Sequence, residues 1–127
     1  MESRRAPSAP APDRAAVLTK AVLRASQVVG LSQHELGAIL GVSGATVSRL
    51  KSGAGKLDPA RKDGELALLF LRIFRSLDTL VGGKETSVRA WMHADNDHLA
   101  GKPVERLRTI EGLVHVAEYL DGMRGKL

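Results

Sequence analysis

The stretch LSQHELGAILGVSGATVSRLKSG, Leu31 to Gly53, leaves its backbone few alternatives. Ser32 followed three residues later by Glu35 is a capping box, in which each side chain bonds the other residue's free backbone N–H at a helix start. Leu36, Ile39 and Leu40 then recur at helical spacing and predict a helix running to about Leu40. Gly41 stands where a left-handed residue ends that helix, Val42 is apolar enough to pack under the turn, and Ser43 caps a second helix. The second helix is expected from about Gly44 to Lys51, with Val47 and Leu50 facing inward.

The residues on either side extend the same helical grammar. Asp13 is a good cap for a helix whose apolar set Val17, Leu18, Ala21, Val22, Ala25, Val28 and Val29 persists until Gly30. After a glycine-rich loop, in which Pro59 suits a short helical turn, comes ELALLFLRIFRSLDTLVGG. There Leu66, Leu69, Phe70, Ile73, Leu77 and Leu80 form one stripe and Leu68, Leu71 and Phe74 lie beside it, so this helix must be covered on two sides. In so short a chain the second cover is expected to be another subunit. Three shorter helices complete the chain: Ser87 to about His93, Pro103 to about Leu107, and Thr109 or Ile110 to about Leu120, with Gly122 as a helix end. The fold class is therefore all-α.

Composition narrows the function. The chain has 127 residues and no cysteine, which excludes disulfides, a catalytic cysteine and thiolate zinc sites. Its first twelve residues, MESRRAPSAPAP, carry charge and three prolines; they read as a disordered tail and lack the apolar run of a signal peptide, so a cytoplasmic location is expected. No segment is apolar for long enough to span a membrane. The charge is uneven: residues 1–63 hold ten Lys/Arg against five Asp/Glu, whereas residues 64–127 hold nine of each. An excess of cations suits a polyphosphate partner. The second half calls for a partner of another kind.

Two short helices joined by a three-residue turn match the helix-turn-helix layout, whose second helix enters the major groove of DNA. The residue order here closely resembles the Cro/C1-type helix-turn-helix of the Xre family, with its Ser-Gln-x-Glu-Leu start, Leu-Gly-Val-Ser turn and Thr-Val-Ser-Arg recognition helix ending in Gly. By that resemblance Gln33 supports a phosphate contact, while Ser43, Gly44, Ala45, Thr46, Ser48, Arg49 and Lys51 form the DNA-facing set. Arg49 is the strongest reader, able to pair with guanine. Gly44 and Ala45 depart from the longer polar side chains often found at those positions, which shifts reading toward thymine methyl contact or DNA shape. Lys51, Lys56, Arg61 and Lys62 read equally well as phosphate neighbours and as solvated charges. Binding as a homodimer to a palindromic operator is expected from the small reading surface of one copy.

The second half holds no evident catalytic set. In HADNDH, His93 to His98, a calcium loop starting at Asp95 would place Ala100 at the sharp-turn glycine and Arg106 at the bidentate glutamate. Zinc held by His93 and His98 lacks a third ligand at suitable spacing, and a helix end with Asn96 as the cap of the next segment is the plainer alternative. His115, on an apolar helix, reads as a half-buried packing residue. No metal or cofactor is expected.

RAWMHADNDHLAGKPVERLRTIEGLVHVAEYLDGM resembles the toxin-binding domain of MbcA/ParS/Xre antitoxins through Trp91, Asn96, Leu99, Gly101, Pro103, Leu107, Thr109, Gly112, Val116 and Leu120. The resemblance implies an antitoxin that neutralises a cognate RES-domain, NAD-degrading toxin by blocking its active site and represses its own operon. The toxin-binding set is Trp91, Asn96, Tyr119, Met123, Arg124, Lys126 and Leu127. Trp91, like Leu99 and Leu107, suits a core position as well, and Gly101 and Gly112 suit special backbone geometry or close packing. The tail MRGKL, with its cations and a carboxylate at Leu127, suits insertion into a site built for the phosphates of NAD.

The expected organisation is a tail over residues 1–12, a helix-turn-helix domain over 13–63, and a dimerisation and toxin-binding domain over 64–127. No enzymatic activity is expected of the chain itself. The main alternative is a stand-alone dimeric helix-turn-helix repressor; a small zinc hydrolase is the third reading and the one the ligand count disfavours.

Overall fold

A computed structural model describes residues 13–125, and the expected tail over 1–12, Lys126 and Leu127 lie outside them. The described residues form seven α-helices: α1 (Arg14–Val29), α2 (Gln33–Leu40), α3 (Gly44–Ser52), α4 (Lys62–Leu80), α5 (Glu85–His93), α6 (Pro103–Arg106) and α7 (Ile110–Arg124). A single 3-10 turn, Asp97–Leu99, and one isolated bridge between Asn96 and Gly101 complete the backbone. No helix among the described residues is long and apolar enough to cross a membrane.

Local chemistry sets most of the boundaries. Asp13 Oδ1 accepts the Ala16 N–H at 3.1 Å and starts α1, while Gly30 ends it in the left-handed region. The Ser32–Glu35 capping box forms in both directions, at 3.0 and 2.9 Å. Gly41 ends α2 at φ 69°, ψ 33°, a conformation a side chain would strain. Thr109 caps α7 by accepting the Gly112 N–H at 3.0 Å.

Longer-range packing decides the rest. α4 lies at the centre, in contact with α1, α2, α5 and α7. Phe70, Ile73 and Leu77 are buried from one register of α4 and Ala67 and Leu71 from the neighbouring ones. The two-sided burial expected to need another subunit is supplied within the chain. Leu68 alone among the large apolar residues of α4 is exposed, beside Val17 of α1 at an open apolar groove. One continuous core joins Leu36, Ile39 and Leu40 of α2 to Leu113, Val116 and Leu120 of α7 through these residues of α4.

Two further expectations change. α7 does not end at Gly122: it runs on to Arg124, whose Nη1 donates to Ser76 Oγ of α4 at 3.3 Å and ties down the last turn. His115 is exposed rather than half-buried, because the buried stripe of α7 passes through Leu113, Val116, Ala117 and Leu120. Gly112 lies against the preceding turn, where a Cβ would sit 1.8 Å from the Arg106 carbonyl oxygen. The α6–α7 corner closes only around a residue without a side chain.

Candidate interaction surfaces

The first surface is the outer face of α3. Ser43 adopts an extended conformation, and its Oγ accepts the Thr46 N–H at 3.2 Å while lying 3.1 Å from Thr46 Oγ1. Thr46 Oγ1 also accepts a hydrogen bond from Arg49 Nη2 at 3.1 Å, which holds the guanidinium along the helix surface. From α2, Gln33 Nε2 donates to the Gly44 carbonyl and to Ser48 Oγ, both at 2.8 Å, and so fixes the start of α3 against its partner helix. Val47 and Leu50 are buried beneath, leaving Ser43, Gly44, Ala45, Ser48, Arg49 and Lys51 exposed and Thr46 half-exposed. Of the residues expected to face DNA, Gln33, Ser43, Gly44, Ala45, Thr46, Ser48 and Arg49 therefore lie together, while Lys51 lies toward α1.

The lysines beyond α3 divide. Lys56 Nζ bonds Asp13 Oδ2 at 2.6 Å, and that bond, joined by the Ala16 N–H, holds the Asp13 carboxyl below its ordinary range. The Leu57 N–H donates to the buried Thr19 Oγ1 at 2.8 Å, pinning the same loop onto α1. Lys62 pairs loosely with Glu65 at 3.4 Å. Lys51 has no ion pair among those the described residues form, and it lines shallow hollows shared with Leu23 of α1.

The second surface is built from α5, the 3-10 turn and α7. Trp91 is half-buried and stacks on Tyr119 with ring centroids 6.3 Å apart, and the His98 ring stacks on the same tyrosine at 5.5 Å. Met123 stands one turn after Tyr119 and is 41 % exposed. The structure thus brings Trp91, Tyr119 and Met123 together. Asn96 is occupied in closing its own turn, with Oδ1 accepting the Leu99 N–H at 3.2 Å and its backbone paired to Gly101. Arg124 is turned toward Ser76, and Lys126 and Leu127 lie outside the described residues.

Sequence reading missed one contributor to this surface, His98, which joins the aromatic stack. It also missed that Ile110 and Val114 are 68 % and 41 % exposed, on a different face of α7 from Tyr119 and Met123. Ile110 and Val114 carried a signal, since they stand four apart and off the stripe of Leu113, Val116 and Leu120. Three of the five exposed large apolar side chains of the described residues belong to α7, namely Ile110, Val114 and Met123.

Between the two surfaces runs a polar clip. The last carbonyls of α1 receive side chains from α5: Arg89 Nη2 donates to Gln27 O at 2.9 Å, beside the Gly30 N–H at 3.2 Å, and Arg89 Nε to Val28 O at 3.3 Å. His93 Nε2 lies 3.0 Å from Val29 O. Arg24 pairs with Glu85, and Arg108 approaches Glu35 at 3.8 Å. His93 and His98 thus face different partners, and among the described residues no three His, Asp or Glu side chains are gathered where they could share a metal ion.

Residues 8–72 match the model of the antitoxin Xre-like helix-turn-helix domain, and residues 76–126 match that of the antitoxin Xre/MbcA/ParS C-terminal toxin-binding domain. No curated protein matches the chain. The first match alone spans more than half of the sequence, and the two come in the order of the two surfaces: the chain belongs to the Xre-type antitoxins, with a helix-turn-helix domain followed by a toxin-binding domain.

Proposed function

We propose that this antitoxin neutralises a RES-domain toxin that consumes NAD, by covering its active site, and that it represses its own operon as a homodimer on a palindromic operator. The observation that carries the reading is the pairing, in one chain, of a prebuilt reading helix with an open aromatic and apolar surface in the toxin-binding domain. Chemistry belongs to the toxin in this scheme, and the chain acts by occlusion in the cytoplasm.

On the DNA side Arg49 reads guanine, Thr46 and Ser48 contact the groove, and Gln33, Ser43 and Lys51 address phosphates, with Gly44 and Ala45 allowing the helix start to come close to the bases. So few reading side chains give modest affinity from one copy, which supports the dimer; α4, covered by its own chain, does not bear on it. On the toxin side Trp91, Tyr119 and Met123 supply contact area, Asn96 holds the turn that carries His98, and Arg124, Lys126 and Leu127 add charged and apolar groups for the toxin to meet.

Expressing the product of the adjoining reading frame with and without this chain, while measuring cellular NAD and co-purification, tests the reading. Loss of NAD that the chain prevents, with a stable complex, is the expected result. No NAD loss and no complex would leave a stand-alone repressor. Operator footprints covering two half-sites about 34 Å apart are expected for the dimer.

A further inference from the structure

Among the described residues nothing requires a glycine at position 122. Six other glycines of the described residues have a positive φ, and Gly37, Gly64 and Gly112 leave no room for a Cβ; Gly44, Gly55 and Gly125 would place one in ordinary contact. Gly122 has neither a positive φ nor such a contact: it lies inside α7, with nothing within 4 Å of the place a Cβ would take. Glycine at such a position weakens a helix relative to alanine. Gly112, in the same helix, is the contrast, since the Arg106 carbonyl leaves no room there for a side chain.

The missing Cβ has a visible consequence. Gly122 forms the floor of a surface hollow of about 340 Å³ whose walls are His98, Glu118, Tyr119 and Met123. The walls combine aromatic rings, a thioether and a carboxylate, and Glu118 takes part in none of the ion pairs formed among the described residues. This hollow lies within residues 76–126, the toxin-binding domain, and adjoins the exposed Met123.

We infer that Gly122 is a specificity-determining contact position, and that the hollow above it receives an arginine side chain of the cognate toxin. The aliphatic stem of the arginine covers Met123 and the ring edges, the guanidinium pairs with Glu118, and a Cβ at position 122 would occupy the floor on which the stem rests. Arginine fits better than lysine because its flat head lies along an aromatic wall while bonding a carboxylate. The inference rests on the proposed toxin partnership and names the face and the group through which it is made.

The test uses the full chain, the product of the adjoining reading frame as probe, thermal melting of the free chain, and titration calorimetry at several salt concentrations. Gly122→Ala is expected to raise the melting temperature by about 2–4 °C and to weaken binding about tenfold, as loss of a good packed contact does. Gly122→Leu should weaken it further while melting no lower than the parent, and Glu118→Gln should weaken binding at low salt and flatten its salt dependence. Opposite signs for stability and affinity in Gly122→Ala separate a contact position from a structural one. If the parent binds and both Gly122 variants bind equally well, the inference is overturned and the partnership stands; if the parent does not bind the probe, both fall.

Discussion

The two ends of this molecule present their surfaces in opposite ways. Around α3 the polar groups are engaged before any partner arrives: Gln33 holds Gly44 and Ser48, Ser43 caps Thr46, and Thr46 steadies Arg49. Around α7 apolar surface is left open, with Ile110 and Val114 exposed on one side and Met123, beside a hollow above Gly122, on the other. The difference matches the partners proposed for the two surfaces. DNA offers a groove of fixed form, so a reading helix gains from being held in place beforehand, whereas a protein partner brings apolar side chains of its own and rewards surface left uncovered. A DNA-reading surface is therefore recognised by what it satisfies internally, and a protein-binding surface by what it leaves open.

The largest effect expected is on the scaffold the two surfaces share. Gly112→Ala would set a Cβ 1.8 Å from the Arg106 carbonyl, so the α6–α7 corner must open and lift Leu113, Val116 and Leu120 from α4. Overpacking against backbone costs about 3 kcal/mol or more, which lowers the melting temperature by roughly 10 °C in a chain of this size. Because α4 also covers α1 and α2, the loss should appear as one transition that takes operator binding with it. Two separate transitions, the first sparing operator binding, would show that the halves are more independent than their common core suggests.

A smaller effect should fall on one surface only. Arg49→Ala removes the exposed guanidinium that Thr46 steadies, and loss of a bidentate base contact costs about 1–3 kcal/mol. Operator binding measured by gel shift is expected to weaken by roughly ten- to a hundredfold, with relaxed preference at one base pair in each half-site. Toxin affinity should not change. If toxin affinity fell in parallel, the clip formed by Arg89 and His93 on the end of α1 would be transmitting change between the surfaces, and the two ends would be coupled rather than independent.

How far the sequence discloses this arrangement depends on the range of the forces involved. Caps act over three residues, so Asp13, Ser32 with Glu35, Ser43 and Thr109 could be read directly, and with them every start from α1 to α3. The end of α7 could not, because Gly122 is an ordinary stop signal and what carries the helix past it is Arg124 reaching Ser76, 48 residues earlier in the chain. The apolar second face of α4 was equally visible in sequence, but periodicity says only that a face is covered and not by what; α1 and α7 cover it here. At the surfaces, the exposed outer face of α3 was legible because its residues lie on consecutive turns. Stacking of His98 on Tyr119 joins residues far apart in the chain, and no local pattern marks it.

The smallest effect concerns Glu35, which belongs to both regions. Its carboxylate accepts the Ser32 N–H at 2.9 Å at the start of α2, and Arg108 of the second half stands 3.8 Å away. The Ser32 N–H is the main cause that holds this carboxyl below its ordinary value of 4.5, against the opposing effect of burial, with the Ser32 side chain and Arg108 adding to the lowering. A carboxyl held down in the folded state stabilises the fold at pH values above its unfolded value, and that contribution disappears as pH falls from about 4.5 through the folded value. Glu35→Gln keeps a hydrogen-bond acceptor and removes the charge, so it should cost about 0.5 kcal/mol at neutral pH, the usual worth of a carboxylate at a helix start. In acid the protonated parent loses the same charge, and the melting curves of parent and variant should converge there. A difference that persists unchanged into acid would mean that the side chain's packing, and not its charge, holds the start of α2 and its approach to Arg108.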